Sequence, residues 1–152
     1  QAVNITNAND DVDISATLNR IISRLEIHST DPRTDIAQSV RTTFSAGGKS
    51  FSPTSGLATT NAGFTNSVVI QTAVGNVAGI VNYLFLATDE QTMNITIDVL
   101  DANGTSVSHK VVPNVPFQRN RKTKLSGSLF SAGNSGDFTV ETAWLDDYNM
   151  DF

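Results

Sequence analysis

Strict two-residue alternation is the sequence feature that most constrains how this chain can fold. It is clearest in one stretch where every second residue is apolar and the residues between are polar: Met93, Ile95, Ile97 and Val99. Successive side chains of a β-strand point to opposite faces of a sheet, so this pattern predicts a strand with one buried and one solvated face. A chain built from such strands is expected to pair them into sheets around a core.

Two hairpins are predicted in the second half of the chain. The first passes through the turn Asp101 to Thr105, whose Asn-Gly pair readily adopts positive φ, into an alternating strand at 107–111. The second joins the alternating residues of 125–129 to those of 138–144 through the turn sequence "SAGNSGD". Both hairpins favour an antiparallel sheet.

Further strands are indicated by short apolar runs. The run "GIVNYLFLA", Gly79 to Ala87, is apolar at nearly every position, which is typical of a central strand covered on both faces. Val68 to Ala73 and Val40 to Ser45 are two more candidate strands. The stretch Ala46 to Asn66 contains several glycines and a proline and is predicted to be a loop, with at most a short strand near Phe51.

The segment 14–27 has two interpretations. An amphipathic helix would explain the spacing of Leu18, Ile21, Ile22 and Leu25. A strand with a β-bulge near Asn19-Arg20 would instead bring all of its apolar positions to one face. We favour the strand because the neighbouring segments are all predicted to be β.

Composition supports a single β-rich domain. A chain of 152 residues is about the size of one ordinary domain, so 1–152 is expected to form one core, with 1–11 as a flexible N-terminal segment. Charged residues make up only 16% of the chain and Ser, Thr, Asn and Gly are plentiful, which favours a polar-surfaced β protein over a helical bundle. The absence of cysteine excludes disulfides and thiolate metal sites.

The motifs that would indicate chemistry are incomplete. "GGKS", Gly47 to Ser50, lacks the glycine that a phosphate-binding loop needs four residues earlier. His28 and His109 are isolated from each other and from any metal-ligand spacing. The acidic pairs at 10–11 and 146–147 do not have calcium-loop spacing, and there is no GxSxG motif. We therefore expect no enzyme activity, no catalytic or metal site and no cofactor.

A basic cluster stands out in an otherwise acidic chain: Arg119, Arg121, Lys122 and Lys124. Subtracting these four charges from a formal net charge of −5 leaves −9 on the rest of the chain, which would repel a phosphate backbone. No aromatic residues are interleaved to stack on bases. We expect no nucleic-acid partner, and interpret the cluster as exposed charges that protect a strand edge.

The same stretch resembles a family signature. "NVPFQRNRKTKLSGSLFS" followed by "FTVETAW" is similar to the closing segment of the Bacteroidetes fimbrillins, "VPVxRNxxTxLxGxLLT" and then "FxVxV". "LNRIISRLEI" and "FSPTSGLAT" are similar to the family's first strand and to its "YNxxTG" element. The residues carried over as a structural closing motif are Pro116, Arg119, Asn120, Thr123 and Gly127.

The resemblance implies an all-β, transthyretin-like Greek-key β-sandwich of about seven strands. It also implies an exported lipoprotein at the outer-membrane surface, serving as a structural or adhesive subunit of a fimbria, or pilus. Its partners would be other fimbrial subunits, joined by β-strand addition. The alternative is a monomeric, lipid-anchored surface module that binds host protein or glycan through the loops Ala46 to Asn66 and Ser131 to Asp137.

Membrane attachment is expected only through a lipid or the fimbria. The longest apolar run, Ile80 to Ala87, is far shorter than the roughly 20 residues of a membrane helix. The chain opens with Gln1, as expected of a mature or trimmed segment.

Three sets of residues are candidates for assembly. The C-terminal tail is a candidate donor strand, with apolar residues at even positions: Trp144, Tyr148, Met150 and Phe152. The first strand is a candidate for removal on maturation, through Ile14, Leu18, Ile21 and Leu25. Since the resemblance implies trimming by an arginine-specific protease, Arg33 in "TDPRTD" is the candidate exposed cut site.

Overall fold

The computed structural model describes residues 20–131 and 138–141, and all regular structure in this part of the chain is β. Eight strands follow one another: β1 (Ser23–Pro32), β2 (Ser39–Phe44), β3 (Phe64–Val69), β4 (Val77–Leu84), β5 (Glu90–Leu100), β6 (Ser106–Gln118), β7 (Lys122–Gly127) and β8 (Thr139–Glu141). They form two packed sheets of four strands each. The prediction of an all-β sandwich is confirmed, with eight strands where about seven were expected.

The first sheet has the strand order β4-β1-β7-β8 and the second has the order β3-β2-β5-β6. Every pairing is antiparallel except that of β1 with β7, which is parallel. The chain moves from one sheet to the other four times: between β1 and β2, between β3 and β4, between β4 and β5, and between β6 and β7. Consequently β1, the first described strand, lies in the middle of its sheet, between β4 and β7.

The core lies between the two sheets and is built by alternation. Leu25 and Ile27 of β1 and Leu125 of β7 have no exposed surface, and neither do Ile95 and Ile97 of β5. Each such side chain contributes roughly 1.5–3 kcal/mol by leaving water. The alternation that predicted β5 is therefore the alternation that fills the core.

The first predicted hairpin is confirmed. β5 and β6 are antiparallel neighbours, and the Asp101 carboxylate closes their turn by accepting hydrogen bonds from the Asn103 and Thr105 amides at 2.9 and 2.8 Å. Gly104 has φ 81°, a left-handed conformation that glycine adopts without strain. The second hairpin is also present as the antiparallel pair β7 and β8.

The helical interpretation of the segment 14–27 is wrong where the structure describes it. β1 is a strand that buries Ser23, Leu25 and Ile27 on one face, as the bulged-strand interpretation predicted. The strand continues to Pro32, beyond the predicted end at Ile27. β1 pairs with both β4 and β7 through backbone hydrogen bonds. A helix over the same residues could form neither of these pairings.

Two other strand predictions need correction. The run Gly79 to Ala87 was predicted to be a central strand covered on both faces, but it forms most of β4, which lies at the edge of the first sheet with one face exposed. The candidate strand Val68 to Ala73 is displaced, since β3 occupies Phe64–Val69 and the chain leaves the sheet at Ile70.

Candidate functional site

Four strands lie at sheet edges: β4 and β8 in the first sheet, β3 and β6 in the second. An edge strand presents unpaired backbone groups that invite another strand, and proteins usually block such edges with charges, prolines or bulges. The two longest edge strands are β6, with 13 residues, and β4, with eight. These two strands differ in how they are protected.

The edge of β6 is blocked in several ways. It contains Pro113 and Pro116, which have no amide hydrogen to donate. Asn114, between them, has φ 54°, and its amide donates to the Asn94 side chain at 3.0 Å. The ladder with β5 shifts register at this point, after Met93. A strand could not pair regularly along this edge.

The edge of β4 has no proline, no charged residue and no left-handed residue. The register of its ladder with β1 shifts between Gly79 and Val77, but the extra residues lie on β1, away from the free edge. Alternate side chains of β4 point into the core, and the outward ones include Val77, Val81 and Tyr83, which are 61%, 36% and 55% exposed. β4 is thus an unblocked edge strand with an apolar outer face.

Backbone hydrogen bonds show which groups of β4 face away from its neighbour. The amide of Ala78 donates to the Ser29 hydroxyl of β1 at 2.6 Å, so the even-numbered residues bond towards β1. Just beyond the strand, Phe85 exchanges two 3.0 Å bonds with Gly48 on the other side. The odd-numbered residues Gly79 and Val81 therefore direct their N–H and C=O groups to the free edge, where no described strand pairs with them.

Exposed apolar side chains are concentrated near this edge. Among the described residues, eight large hydrophobic side chains are exposed, and five of them lie on β3, on β4 or in the loop between these strands: Val69, Val74, Val77, Val81 and Tyr83. A sixth, Ile36, lies in the loop between β1 and β2. The loops that carry Ile36 and Val74 are joined by Arg33, whose side chain donates to the Ala37 and Thr72 carbonyls. Such a grouping is typical of an interaction surface.

An open cleft of about 270 Å³ separates the edges of β3 and β4. It is lined by Ile22, Lys49, Phe64, Asn66, Val81, Tyr83 and Phe85. At its base the buried Asn82 joins the sheets, since it accepts a hydrogen bond from Asn66 at 2.8 Å and donates to Thr42 at 3.3 Å. We call the side of the sandwich formed by β3, β4 and this cleft the open side.

Lys49 gives the cleft its charge. Its ammonium lies 5.5 Å from the centre of the Phe64 ring, and among the described residues that line the cleft it is the single charged side chain. Nearby, Phe51 packs against Phe85 with 4.8 Å between ring centres. The cleft therefore suits a partner that offers apolar side chains together with a carboxylate.

The predicted assembly residues fall into two groups. Six lie outside the described residues: Ile14, Leu18, Trp144, Tyr148, Met150 and Phe152. Ile21 precedes β1 and packs so closely on Gly56 that a β-carbon there would meet its side chain at 2.8 Å. Leu25 is fully buried in the core. Release of the segment 14–27 would therefore take β1 away from both β4 and β7.

Arg33 was expected to be exposed, but its side chain is partly buried and bound. Its guanidinium donates to the carbonyls of Ala37 at 2.9 Å, Ile70 at 3.2 Å and Thr72. Its own carbonyl accepts a bond from the Gly75 amide at 2.9 Å. A protease would have to break these bonds before it could cut after Arg33.

The closing motif forms the passage from β6 to β7. Asn120 takes φ 61° in the turn, and its amide donates to the Ile22 carbonyl at 3.2 Å. The Thr123 hydroxyl donates to the Pro116 carbonyl at 2.8 Å, tying the two strands together. Gly127 is buried at the end of β7, in register with β1.

Lys122 and Lys124 of the basic cluster do not protect a strand edge, because β7, which carries them, is an interior strand between β1 and β8; Arg119 and Arg121 lie between β6 and β7. Three of the four charges are paired with acidic residues. The ion pairs are Arg119 with Asp89 at 2.9 Å, Lys122 with Glu26 at 3.6 Å and Lys124 with Glu141 at 3.2 Å. The correction follows from topology: the sequence shows the charges but not which strands flank them.

Asp31 is a structural residue that sequence reasoning missed. Its carboxylate accepts hydrogen bonds from the amides and hydroxyls of the segment 128–131, at 2.7–2.9 Å. Burial alone would raise the pKa of Asp31, but the bonds from Leu129, Ser131 and Ser128 outweigh it and hold the pKa below its usual value. Neither spacing nor composition marks this residue in the sequence.

A second carboxylate, Asp98, joins three strands on the outer face of the second sheet. It lies 2.6 Å from His109 Nδ1, 3.1 Å from the Arg41 guanidinium and 3.3 Å from the Ser106 hydroxyl. Burial would raise the pKa of Asp98, but the bonds from His109 and Arg41 lower it overall. Ser106 bonds to the carboxylate and not to the imidazole, so this cluster does not have the geometry of a Ser-His-Asp triad.

The described residues offer no metal centre, since no three His, Asp or Glu side chains among them gather closely enough to hold an ion. In the same part of the chain, no helix has the length and apolar character needed to cross a bilayer.

Comparisons with known proteins give a family and a distant structural likeness. No curated protein matches the chain. Among solved structures, the chain is similar to a "putative cell adhesion protein" from Bacteroides ovatus ATCC 8483, with 12% identity and a TM-score of 0.49. The match covers 88% of this chain but 47% of the other, so the chain spans about half the length of that protein. A family model matches residues 1–151, and the chain belongs to that family, a family of unknown function (DUF6562).

Proposed function

We propose that this protein is a non-catalytic structural or adhesive subunit of a fimbria, related to the fimbrillins, and that its subunits join by β-strand addition. The observation that carries the proposal is the free edge of β4. It offers outward backbone groups at Gly79 and Val81, an apolar outer face, and no charge or proline to block a partner. In strand addition, main-chain hydrogen bonds supply affinity and alternate side chains supply register.

The C-terminal tail of a neighbouring subunit is the proposed donor strand. Its apolar residues are Trp144, Tyr148, Met150 and Phe152, and three aspartates stand among them. The segment 142–152 has no lysine or arginine, whereas the cleft beside β4 presents the cation of Lys49. Apolar contact with the outer face of β4 and charge complementarity at Lys49 both favour this pairing.

The proposed location is the outer-membrane surface, reached by export and kept there through a lipid or through the fimbria. This part of the proposal rests on the resemblance of the closing motif to that of the fimbrillins. Within the structure, Asn120 and Thr123 of that motif hold the passage from β6 to β7.

Cleavage after Arg33 with release of the segment 14–27 stays a prediction. With β1 in place, no described strand pairs with the outer edge of β4, so strand addition at β4 does not require that cut. Treatment of the folded protein with an arginine-specific protease separates the two routes. Assembly without cleavage would support addition at β4 of the intact chain, whereas assembly only after cleavage would support the maturation route.

The test of the proposal is a pair of matched valine substitutions. Val81→Lys places a charge on the β4 edge, while Val111→Lys does so on the outer face of β6; the two valines are 36% and 37% exposed. We expect Val81→Lys to abolish higher-order assembly in size-exclusion chromatography and electron microscopy, and Val111→Lys to leave it intact. Equal assembly by both variants would contradict the proposal.

Deletion of Tyr148 to Phe152 tests the donor. A chain lacking these residues should keep its fold, retain an open β4 edge and fail to form higher-order assemblies. Mixing it with the full-length chain should shorten the assemblies, because the truncated subunit can accept a strand but cannot donate one. Undiminished assembly of the truncated chain would show that the donor lies elsewhere.

A monomeric surface module that binds host protein or glycan is the second candidate. It is favoured by the cleft itself, where Lys49 and Asn66 lie beside the rings of Phe64 and Tyr83. Under this alternative the wild-type chain stays monomeric, and Lys49→Ala reduces adhesion of the purified protein to host cells without changing its size. Val81 also lines the cleft, so the edge is tested here at Val77, which does not line it. Adhesion that survives Lys49→Ala but is lost with Val77→Lys would favour assembly at the edge.

A further inference from the structure

We propose that, before assembly, two copies of this chain cap each other through their β4 strands in an antiparallel, two-fold symmetric pair. The inference deepens the proposed function and rests on it in one respect: it takes the β4 edge to be the assembly site. The occupant of the edge in the resting state is then β4 of a second copy, which a donor strand must later displace.

The backbone of β4 defines the register of such a pair. Its odd-numbered residues direct their N–H and C=O groups to the free edge, so an antiparallel partner must place odd-numbered residues opposite them. The register that uses the whole strand sets Val77 opposite Tyr83 and Gly79 opposite Val81. The two-fold axis then passes beside Ile80, and each of these pairs occurs twice.

The outward side chains complement one another in this register. Tyr83 lies across from Val77, an aromatic and β-branched pair of the kind that stabilises antiparallel strands. A β-carbon built at Gly79 would meet nothing within 4 Å, so this position leaves room for the opposing Val81. β4 has no charged residue, and self-pairing therefore sets no like charges against each other.

The ends of β4 fit the same register. Gly48 already occupies the position opposite Phe85, so an added strand has to finish at Tyr83. In the proposed pair the residue opposite Tyr83 is Val77, which is the first residue of β4. The chain before it forms a turn and leaves the free edge, because the Asn76 amide donates to the Ala73 carbonyl at 3.2 Å and the Gly75 amide donates to the Arg33 carbonyl at 2.9 Å, on the β1 side. The partner strand thus stops before it meets Gly48.

The consequence is a continuous eight-stranded sheet across two subunits, in which the edge backbone groups of β4 are paired and its outward side chains are flanked by those of the partner strand. A pair held by one short strand from each copy buries less surface than a standard protein interface. We therefore expect dimerisation to be reversible and dependent on concentration. A reversible cap would keep subunits from joining strands at random while leaving the edge accessible to a donor.

Disulfide trapping tests the register in the full-length chain, which contains no cysteine of its own. Gly79→Cys and Val81→Cys are prepared as separate proteins and then mixed under oxidising conditions. Directly opposite residues in an antiparallel pair lie at a distance that a disulfide can bridge, whereas identical residues are offset diagonally by two positions. We expect at least tenfold more disulfide-linked dimer in the mixture than in either protein alone. Equal cross-linking in the single-variant samples would overturn the register.

Light scattering at increasing protein concentration tests the pair itself. The wild-type chain and Val111→Lys should pass from monomer to dimer together, and Val81→Lys should weaken the dimer at least tenfold. A wild-type chain that remains monomeric at millimolar concentration would overturn the inference. Dimers that never grow further would instead leave the inference standing and contradict the proposed fimbrial assembly, so the two failures are distinguishable.

Discussion

β4 and β6 are edge strands on opposite sides of the same sandwich, and they differ in how far their sequences block the addition of another strand. β6 has two prolines and the left-handed Asn114, and its ladder is interrupted by a register shift. β4 has no proline, no charge and no left-handed residue, its register shift comes from extra residues on β1, and its solvent-facing side chains are mostly apolar. The comparison teaches that the two edges differ in their capacity to accept a further strand, since a blocked edge ends a sheet and an unblocked one can continue it.

The two sides also differ in how the sheets are joined. On the side of β6, which we call the closed side, Lys110 donates to the Ser131 carbonyl at 3.1 Å and Asp31 holds the preceding residues 128–131 in place. On the open side, Asn82 makes the polar connection between β4 and the second sheet. We therefore expect the closed side to contribute more to stability and the open side more to assembly.

The largest effect on stability is expected at Asp31. Asp31→Ala leaves the amides of Leu129, Phe130 and Ser131 without their acceptor and should lower the free energy of unfolding by about 2–4 kcal/mol. Urea denaturation measures the change. Asp35→Ala is the matched control, because the Asp35 carboxylate bonds only to the adjacent Ile36 amide and the change should cost about 0.5 kcal/mol or less. Equal costs would contradict the assignment of the closed side as the stability centre.

The same residue should make stability depend on pH. The pKa of Asp31 is lower in the folded chain than in the unfolded one, so its contribution is present above the unfolded value of about 3.9 and is lost as the pH falls through the folded value. The difference in unfolding free energy between the wild type and Asp31→Asn should therefore be constant near neutral pH and shrink below about pH 4. A difference that grows as the pH falls would contradict this sign.

A smaller effect is expected at the polar connection of the open side. Asn82→Ala removes the partner of Asn66 and Thr42 and should cost about 1–2 kcal/mol in thermal or urea unfolding. Asn76→Ala, in the exposed loop before β4, serves as the control. A cost larger than that of Asp31→Ala would reverse the comparison between the two sides.

The smallest effect on folding is expected from Val81→Lys. The side chain points away from the core, so the variant should unfold within about 0.5 kcal/mol of the wild type, as should Val111→Lys. Both variants should therefore fold normally, whereas Val81→Lys alone should disrupt assembly. Clear destabilisation of Val81→Lys would contradict the solvent-facing position of Val81. Its loss of assembly could then not be attributed to the β4 edge.

Sequence reasoning worked where a residue's role is set by its immediate neighbours. The alternation of β5 and the Asn-Gly turn each specify local geometry, and both predictions are confirmed. Sequence reasoning failed where a residue's role depends on distant strands. Asp31 bonds to residues almost 100 positions away, and Lys122 and Lys124 lie on a strand whose neighbours, β1 and β8, come from opposite ends of the described chain.

The misassignment of β4 is the most informative of these failures. An apolar run such as Gly79 to Ala87 predicts a strand covered on both faces, but a sequence does not say whether the cover comes from the same chain. In the structure the inner face is covered and the outer face, with Val81 and Tyr83, is not. A partner strand at the β4 edge would lie beside these outward side chains and shield part of their apolar surface from water. The Trp144 to Phe152 tail, the proposed source of that strand, lies outside the described residues.

Amide hydrogen exchange at single residues of β4 tests the central claim most directly. In dilute, monomeric protein the amides of Gly79, Val81 and Tyr83 face the free edge and should exchange quickly, while those of Ile80 and Asn82 bond to β1 and should exchange slowly. On assembly the first three should slow at least tenfold and the other two should not change. Slow exchange of the first three in the monomer, or fast exchange that persists in the assembled state, would contradict the assignment of β4 as the assembly edge.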